Sequence, residues 1–365
     1  MVAELKVCKK MKVSLIGQYS PSAKEIGGIQ IFNKNLYDEM KKLVETKFYG
    51  YGIKGVKFDD EYFISIADSA NEMRGALFML NLFLKGPFLK IHKKDIIHVQ
   101  RPDHVIPFFF KKNKIVLTLH GAHIKNVKLN KGKLAYLFYK MLQNIAFRRA
   151  NLIIPVSKDT EDYFKETTSL LDNKTVIIPP GVSKIFRPLD KASLKEKYKI
   201  KEKHTLVYVG RIDPEKNVDL IAENLKGEDI CLLIAGIGSE QHKIESLAKK
   251  HENIRYLGKV PNENLAEIYN LADALVMLSE YEGMPTVVLE SLTCGVPVIT
   301  TDVGDVSKAI KDGITGYIAT KENFKEKVLQ LLNEDKSYKE DCIKMSKEYS
   351  WENVANKLYD AYKNM

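Results

Sequence analysis

The run Ser279-Glu280-Tyr281-Glu282-Gly283-Met284-Pro285, continuing to Glu290, has the residue types that a site for an anionic, hydroxyl-rich ligand needs. Gly283 and Pro285 mark a turn, and the pattern that follows reads as a helix stopped by Gly295 as a C′-type glycine. A turn feeding a helix start presents backbone N–H groups with no intrahelical partner, and such donors bind anionic oxygens such as those of a diphosphate. Glu282 stands just before that helix and Glu290 about one turn inside it. Carboxylates so placed can accept hydrogen bonds from the hydroxyl pairs of two different sugars. Two solvated helix-end charges would have the same sequence, because acidic residues favour helix starts on electrostatic grounds alone.

A second cluster, Val209-Gly210-Arg211-Ile212-Asp213-Pro214-Glu215-Lys216-Asn217, ends a strand-like run at Gly210. Asp213 reads as an N-cap and Pro214 as the first residue of a helix. Arg211 and Lys216 flank that start, and a guanidinium fork with a point-charge ammonium makes a sensible diphosphate clamp. Taken alone, the pair could equally be two surface cations. Paired glycines, Gly27-Gly28, follow the first strand and precede a helical pattern, an arrangement that lets backbone approach a phosphate or sugar. His120, in Thr118-Leu119-His120-Gly121, ends a strand, where a ligand-facing residue belongs, although a satisfied turn histidine would also fit. Gly236-Ile237-Gly238 lacks the third glycine of a dinucleotide fingerprint, and no Walker-type, Gly-x-Ser-x-Gly or His-Glu-x-x-His pattern occurs.

The elements that must hold these residues alternate along the chain. Strand-like runs are expected at Lys12–Gly17, Lys47–Tyr51, Tyr62–Ile66, Ile96–Gln100, Ile115–Leu119, Leu152–Val156 and Val176–Ile178. In the second half they are expected at Leu206–Gly210, Ile230–Ala235, Ile254–Leu257, Ala274–Leu278 and Pro297–Thr300. Most are short, apolar and bounded by Gly, Pro, Asp or Asn, which is how strands covered on both faces of a parallel sheet read. Helical periodicity lies between them, as in Ile31–Leu43, Lys133–Arg149 and Leu220–Leu225. The expected fold is therefore α/β, with doubly wound sheets. With 365 residues the chain is long enough for two such domains. Pro179-Pro180-Gly181 ends a strand sharply and a polar stretch follows, which puts the boundary between Gly181 and His204, with residues 1–185 expected in one domain and 186–349 in the other. No internal sequence repeat is visible.

Composition narrows the class. Hydrophobic content of 45% with 28% charged residues fits a soluble globular protein, and no run approaches the roughly 20 apolar residues that span a bilayer. No secretory signal is visible, and the four scattered cysteines (Cys8, Cys231, Cys294, Cys342) have neither metal nor disulfide spacing, so a reducing cytoplasm is expected. Charge is uneven. Residues 1–185 carry 31 basic and 17 acidic side chains, whereas residues 186–365 carry 26 and 30. The first half is the side that would meet something anionic, unless its lysines are simply solvated. No recognised nucleic-acid motif accompanies the charge, so nucleic acid is not an expected partner.

Taken together, these clusters resemble the large retaining glycosyltransferase family of GT-B fold, often called family 4. The resemblance covers nearly the whole chain in order: Gly27-Gly28, His120-Gly121, Val156-Ser157, Pro180-Gly181-Val182 with Phe186 and Pro188, Gly210-Arg211 with Lys216, Tyr256-Leu257-Gly258, Glu282 and Glu290 at E-x7-E spacing, and Gly295-Val296-Pro297-Val298. It implies two Rossmann-like domains facing across a cleft, the last helix, 350–365, crossing back onto the first. It implies further that Arg211 and Lys216, after Gly210, hold the donor diphosphate, that Thr286 and Val287 amides contact phosphate, and that Glu290 binds the ribose. Glu282, with the backbone of Gly283 and Met284, would hold the transferred sugar, and His120 would line the sugar site, making His120, Glu282, Arg211 and Lys216 the catalytic group. Gly28 beside Gly27 would approach the phosphate, and backbone near Lys259-Val260 would meet the base. The family often has Gly-Gly-x-Pro-Glu where this chain has Gly304-Asp305-Val306-Ser307-Lys308, and Met284-Pro285 replaces an aromatic-glycine pair.

The implied reaction moves a hexose from a nucleoside diphosphate sugar with anomeric retention. No Asp-x-Asp pair occurs, and the two cations can supply the charge, so neither metal nor cofactor is expected. A sugar-nucleotide epimerase and a non-catalytic sugar-nucleotide-binding protein on the same fold remain open. Phe83, Leu84, Phe88 and Phe108-Phe109-Phe110 sit among Lys85, Lys90, Lys93, Lys94, Lys111, Lys112 and Lys114. Aromatics beside lysines suit a membrane interface, at about 1 kcal/mol per basic residue near an anionic surface. They point to a lipid- or polyprenyl-phosphate-linked acceptor and to peripheral contact with the inner membrane face.

Overall fold

A computed structural model describes residues 11–21, 28–53, 60–69, 75–120, 123–171 and 173–365. The chain forms two compact units, residues 1–181 with 351–365, and residues 182–350. The first break falls at Gly181/Val182. A Cβ on Gly181 would come within 2.6 Å of the Trp351 ring, so the glycine lets the chain leave the first unit directly against the start of its last helix.

Among the described residues, twelve strands make two six-stranded sheets. The first unit holds β1 (Lys12–Ile16), β2 (Glu45–Ile53), β3 (Phe63–Ser69), β4 (Ile96–Val99), β5 (Ile115–Leu119) and β6 (Leu152–Pro155). The second holds β7 (His204–Val209), β8 (Ile230–Ala235), β9 (Ile254–Gly258), β10 (Ala274–Met277), β11 (Val298–Thr300) and β12 (Gly316–Ile318). The sheet orders are β3-β2-β1-β4-β5-β6 and β12-β11-β10-β7-β8-β9. In its own chain order each sheet therefore runs 3-2-1-4-5-6, the Rossmann arrangement, and the paired strands are parallel. Strands β4, β5, β6, β8 and β10 are buried at every residue, as sheets covered by helices on both faces require.

Val176–Ile178 is not a strand. Thr175 makes an isolated bridge to Ile153, and Val176 and Ile178 donate to the Ile153 and Pro155 carbonyls, but Pro155 has no N–H to return a bond, so the ladder does not extend. Conversely, Gly316–Ile318 forms an edge strand on β11 that its three residues gave no periodicity to reveal. The closing helix, Trp351–Lys363, buries Trp351, Val354, Leu358 and Tyr362 in the first unit, against the helix Gly28–Leu43. The Tyr362 hydroxyl lies 2.6 Å from Nδ1 of His98 on β4, whose Nε2 is 2.7 Å from the Thr118 hydroxyl on β5. Burial lowers His98 to about 3, so a neutral ring ties the helix to two strands.

Candidate active site

In a sheet of this order, ligands bind beyond the carboxyl ends of the strands at the point where the order reverses. In the second unit that point lies between β7 and β10, which are paired neighbours. The Gly210–Lys216 segment follows β7 and the Leu278–Pro285 segment follows β10. Both sequence clusters therefore converge on one place.

Gly210 and Gly236 bring the loops after β7 and β8 into backbone contact. A Cβ on Gly236, whose φ is +149°, would lie 1.7 Å from the Gly210 carbonyl oxygen. Beyond this contact the chain makes only one 3-10 turn, Pro214–Lys216, before Asn217 adopts a left-handed φ of 51° and an α-helix starts at Val218. The expected helix at Pro214 with an Asp213 cap is thus corrected. The Asp213 carboxylate is committed elsewhere: it accepts from the Ser239 amide and hydroxyl, each at 3.0 Å, and pairs with Arg211. Arg211 also pairs with Glu215 at 3.1 Å and keeps an exposed side chain.

The tight turn swings Lys216 inward. It is 8% exposed, and its ammonium donates to Oε1 of Glu282 at 2.6 Å, with the Tyr281 ring centroid 5.8 Å away. The Ser279 hydroxyl donates to the same carboxylate oxygen at 3.0 Å. Further bonds lace the two loops together, from the Asn217 amide to the Leu278 carbonyl at 2.9 Å and from the Glu280 N–H to the Glu215 carbonyl at 2.9 Å. The segment beginning at Gly304 supports Gly283 from behind. The Asp305 N–H donates to the Gly283 carbonyl at 2.8 Å, and a Cβ on Gly304 (φ +58°) would meet that oxygen at 2.0 Å.

The helix Thr286–Thr293 then starts just after this loop, with no side-chain cap on its first N–H groups. Met284 is buried in the core and Val287 is partly buried against it, so these two offer backbone rather than side chains. The helix closes in a Schellman motif: Gly295 (φ +80°) donates to the Leu292 carbonyl and Val296 to that of Ser291. Glu290 accepts a 2.7 Å hydrogen bond from the Tyr269 hydroxyl. Burial pushes its carboxyl up to about 7, against the lowering effect of hydrogen bonds from Tyr269 and Thr286. Lys259 and Val260 follow β9, which lies beyond β8 from β7, where Tyr256 donates to the Gly236 carbonyl at 3.0 Å.

The remaining site residues belong to the first unit. Gly27 lies outside the described residues, and Gly28 opens the helix Gly28–Leu43. His120 follows β5, its Nε2 at 2.9 Å from Gln100 Oε1 and its ring edge-on to Phe32 at 4.4 Å. Burial lowers it to about 4, so the ring is neutral and Nε2 donates to Gln100. Both line a cavity of about 70 Å3 with Arg101, Tyr139 and Gln143. Sequence reasoning missed Gln100, Tyr269 and the carboxylates around Arg211. Gln100 was within reach, since it ends β4 as His120 ends β5. Tyr269, in the last turn of the helix Asn262–Leu271, carries no sequence signal.

Residues 190–349 match the family described as Glycosyl transferases group 1, and residues 26–184 match Glycosyltransferase Family 4. The chain belongs to the group 1 glycosyltransferases. An uncharacterized glycosyltransferase of Methanocaldococcus jannaschii is 28% identical over 97% of this chain and 99% of its own. Sucrose-phosphate synthase from Thermosynechococcus elongatus shares the fold at a TM-score of 0.79, with 18% identity over 97% of this chain and 99% of that one. The HepE protein of Anabaena, solved with UDP-glucose, does so at 0.73, with 14% identity over 97% and 100%. The fold is GT-B, built of two Rossmann-like units, and the activity of this group 1 member is sugar transfer, which removes epimerisation and silent binding from the open readings.

Tyr269→Phe is expected to leave packing intact and to raise the Glu290 pKa further, because one hydrogen bond to the carboxylate is lost. Hydrogen bonds to charged groups contribute about 1.5–3 kcal/mol, so nucleotide-sugar affinity at neutral pH should fall about tenfold. Calorimetric titration at rising pH checks this. Affinity that recovers in alkaline buffer supports the assignment, and an affinity equal to wild type at neutral pH rejects it.

Proposed function

We propose that this glycosyltransferase moves a hexose from a nucleoside diphosphate sugar to a lipid- or polyprenyl-phosphate-linked acceptor, with retention at the anomeric carbon, at the inner membrane face. The observation that carries the donor reading is the convergence of Lys216, Glu282, Glu290 and the Thr286–Thr293 helix start at the strand-order reversal of the second unit. UDP-glucose bound to the Anabaena protein of the same fold supports it. Lys216 and the first-turn amides of Thr286 and Val287 take the diphosphate, joined by Arg211 once it turns from Asp213 and Glu215. Glu290 takes the ribose hydroxyls, and Glu282 those of the hexose.

The acceptor hydroxyl forms its bond to the anomeric carbon on the face from which the phosphate oxygen leaves, and its proton passes to that departing phosphate. The chain positions the reactants and stabilises the charge growing on the leaving group, with no metal or cofactor. Slow hydrolysis of UDP-, GDP- or ADP-hexose tests this without knowledge of the acceptor. The first sugar released, followed by proton NMR, should keep the donor's anomeric configuration, at a rate unchanged by chelator. An inverted sugar, or a rate abolished by chelator, overturns the mechanism.

A further inference from the structure

The helix Gly75–Lys85 is apolar nearly all round, yet the protein covers only one side of it. Phe78 and Leu82 are buried, while Leu77, Leu80 and Leu84 form an exposed stripe with Phe83 beside it. Phe88, in the turn that follows, is 83% exposed, and Phe110 is 95% exposed, edge-on to Phe109 at 5.2 Å. A second bare stripe lies on the helix His123–Arg149, where Leu134, Leu137, Phe138 and Met141 recur at i, i+3, i+4 and i+7 and are all exposed. Both helices pack on the same Pro102–Phe108 turn, which joins the stripes in one region of the first unit. Bare apolar surface on this scale marks an interaction site.

Charge identifies the occupant. Residues 75–149 contain 15 Lys and Arg but only Asp95 and Asp103 as acids, a net +13, against −3 for the rest of the chain. Asp103 is taken by Arg101. Lys90, Lys93, Lys94, Lys112 and Lys114 are exposed and make no ion pair with a described carboxylate. A second copy would set the same lysines against each other, since a two-fold contact uses the same patch twice. Nucleic acid would answer the charge but leave the leucines and phenylalanines bare. A bilayer bearing anionic lipid satisfies both, with aromatic and leucine side chains in the headgroup boundary and lysine stems reaching to the phosphates.

We propose that the helices Gly75–Lys85 and His123–Arg149, with Phe88 and Phe110, form a docking surface for an anionic membrane. It rests on the lipid-linked acceptor reading for its purpose, but docking itself needs neither donor nor acceptor. Flotation of the full chain with vesicles of phosphatidylcholine, alone or mixed with phosphatidylglycerol, is the test. Binding should require the anionic lipid, weaken with salt, and fall about tenfold or more in both Phe83→Ser/Phe88→Ser/Phe110→Ser and Lys90→Ser/Lys93→Ser/Lys94→Ser/Lys112→Ser. Phe88→Trp should shift its emission to the blue on anionic vesicles, the native Trp351 being buried. No binding at low salt, wild-type binding by the serine variants, no blue shift, or a dimer that the phenylalanine variants break would each overturn the proposal. Thermal shifts with nucleotide sugars on the same samples separate the two readings, since vesicle binding without any donor shift sinks only the nucleoside diphosphate sugar donor reading.

Discussion

Lys216→Ala should lower sugar transfer by about 10²- to 10³-fold, the cost of removing one preorganised group at a developing charge. Lys216 is the sharper target of the two cations. Arg211 is already matched by Asp213 and Glu215, lies two-thirds exposed, and can be replaced in part by water and counterions. Lys216 is buried, has Glu282 as its ion-pair partner, and has two further N–H donors for a diphosphate. Removing it also leaves the Glu282 carboxylate with Ser279 as its remaining side-chain donor among the described residues, so that carboxylate loses its orientation together with the charge. The chain should stay folded, because Glu282 keeps access to solvent and the loops remain laced by Asn217 and Glu280. Single-turnover rates with circular dichroism on the same samples check this. A folded variant with wild-type turnover would remove Lys216 from the mechanism.

The second large effect is on pH. Burial raises the Glu290 carboxyl from 4.5 to about 7. A group whose folded pKa lies above its unfolded value stabilises the fold fully below the unfolded pKa, and that contribution is lost as pH rises through the folded one. For Glu290 the window is about 4.5 to 7, and across it free-protein stability from this residue declines. Donor binding should run the opposite way. A ribose hydroxyl pair donates two hydrogen bonds, which only the ionised carboxylate can fully accept, so donor affinity should rise as pH climbs through about 7. Below that point it should fall by up to about tenfold per unit. His120 at about 4 and His98 at about 3 stay neutral through this window and add no titration of their own to the folded state. Glu290→Gln should bind donor weakly and without pH dependence near neutrality. Calorimetric titrations across the window check both curves, and parallel profiles for wild type and variant would mean that another group titrates.

Much of this arrangement was legible because strand-end position carries information. Gly210-Arg211 and Glu282 each follow an apolar strand-like run, and in a doubly wound sheet the ends of the first and fourth strands meet. The strand order itself appears twice without a sequence repeat, since burial on both faces asks only for apolar residues of about the right size. The illegible parts depend on long-range partners. Nothing near Tyr269 signals that it will meet Glu290 across the helix pair, and Asp213 was read locally as a cap when its partners are Ser239 and Arg211. The Val176–Ile178 run has strand composition and still donates to Ile153 and Pro155, yet Pro155 on the neighbouring strand has no N–H to return the bond, which no local propensity encodes. The stripe Leu134, Leu137, Phe138 and Met141 was read as ordinary helical periodicity, and only its exposure shows that the apolar face is bare.

The strand ends of the second unit are expected to hold a nucleotide sugar through Lys216. Thermal unfolding of the wild type and of Lys216→Ala with UDP-, GDP- and ADP-hexoses tests it most directly. At a ligand concentration of about 100 Kd a bound donor adds about 2.7 kcal/mol of stability, a rise of several degrees. That rise is expected for at least one of the three donors in the wild type, and its loss in Lys216→Ala. A wild type that none of them stabilises, or a variant stabilised as much as the wild type, would contradict it.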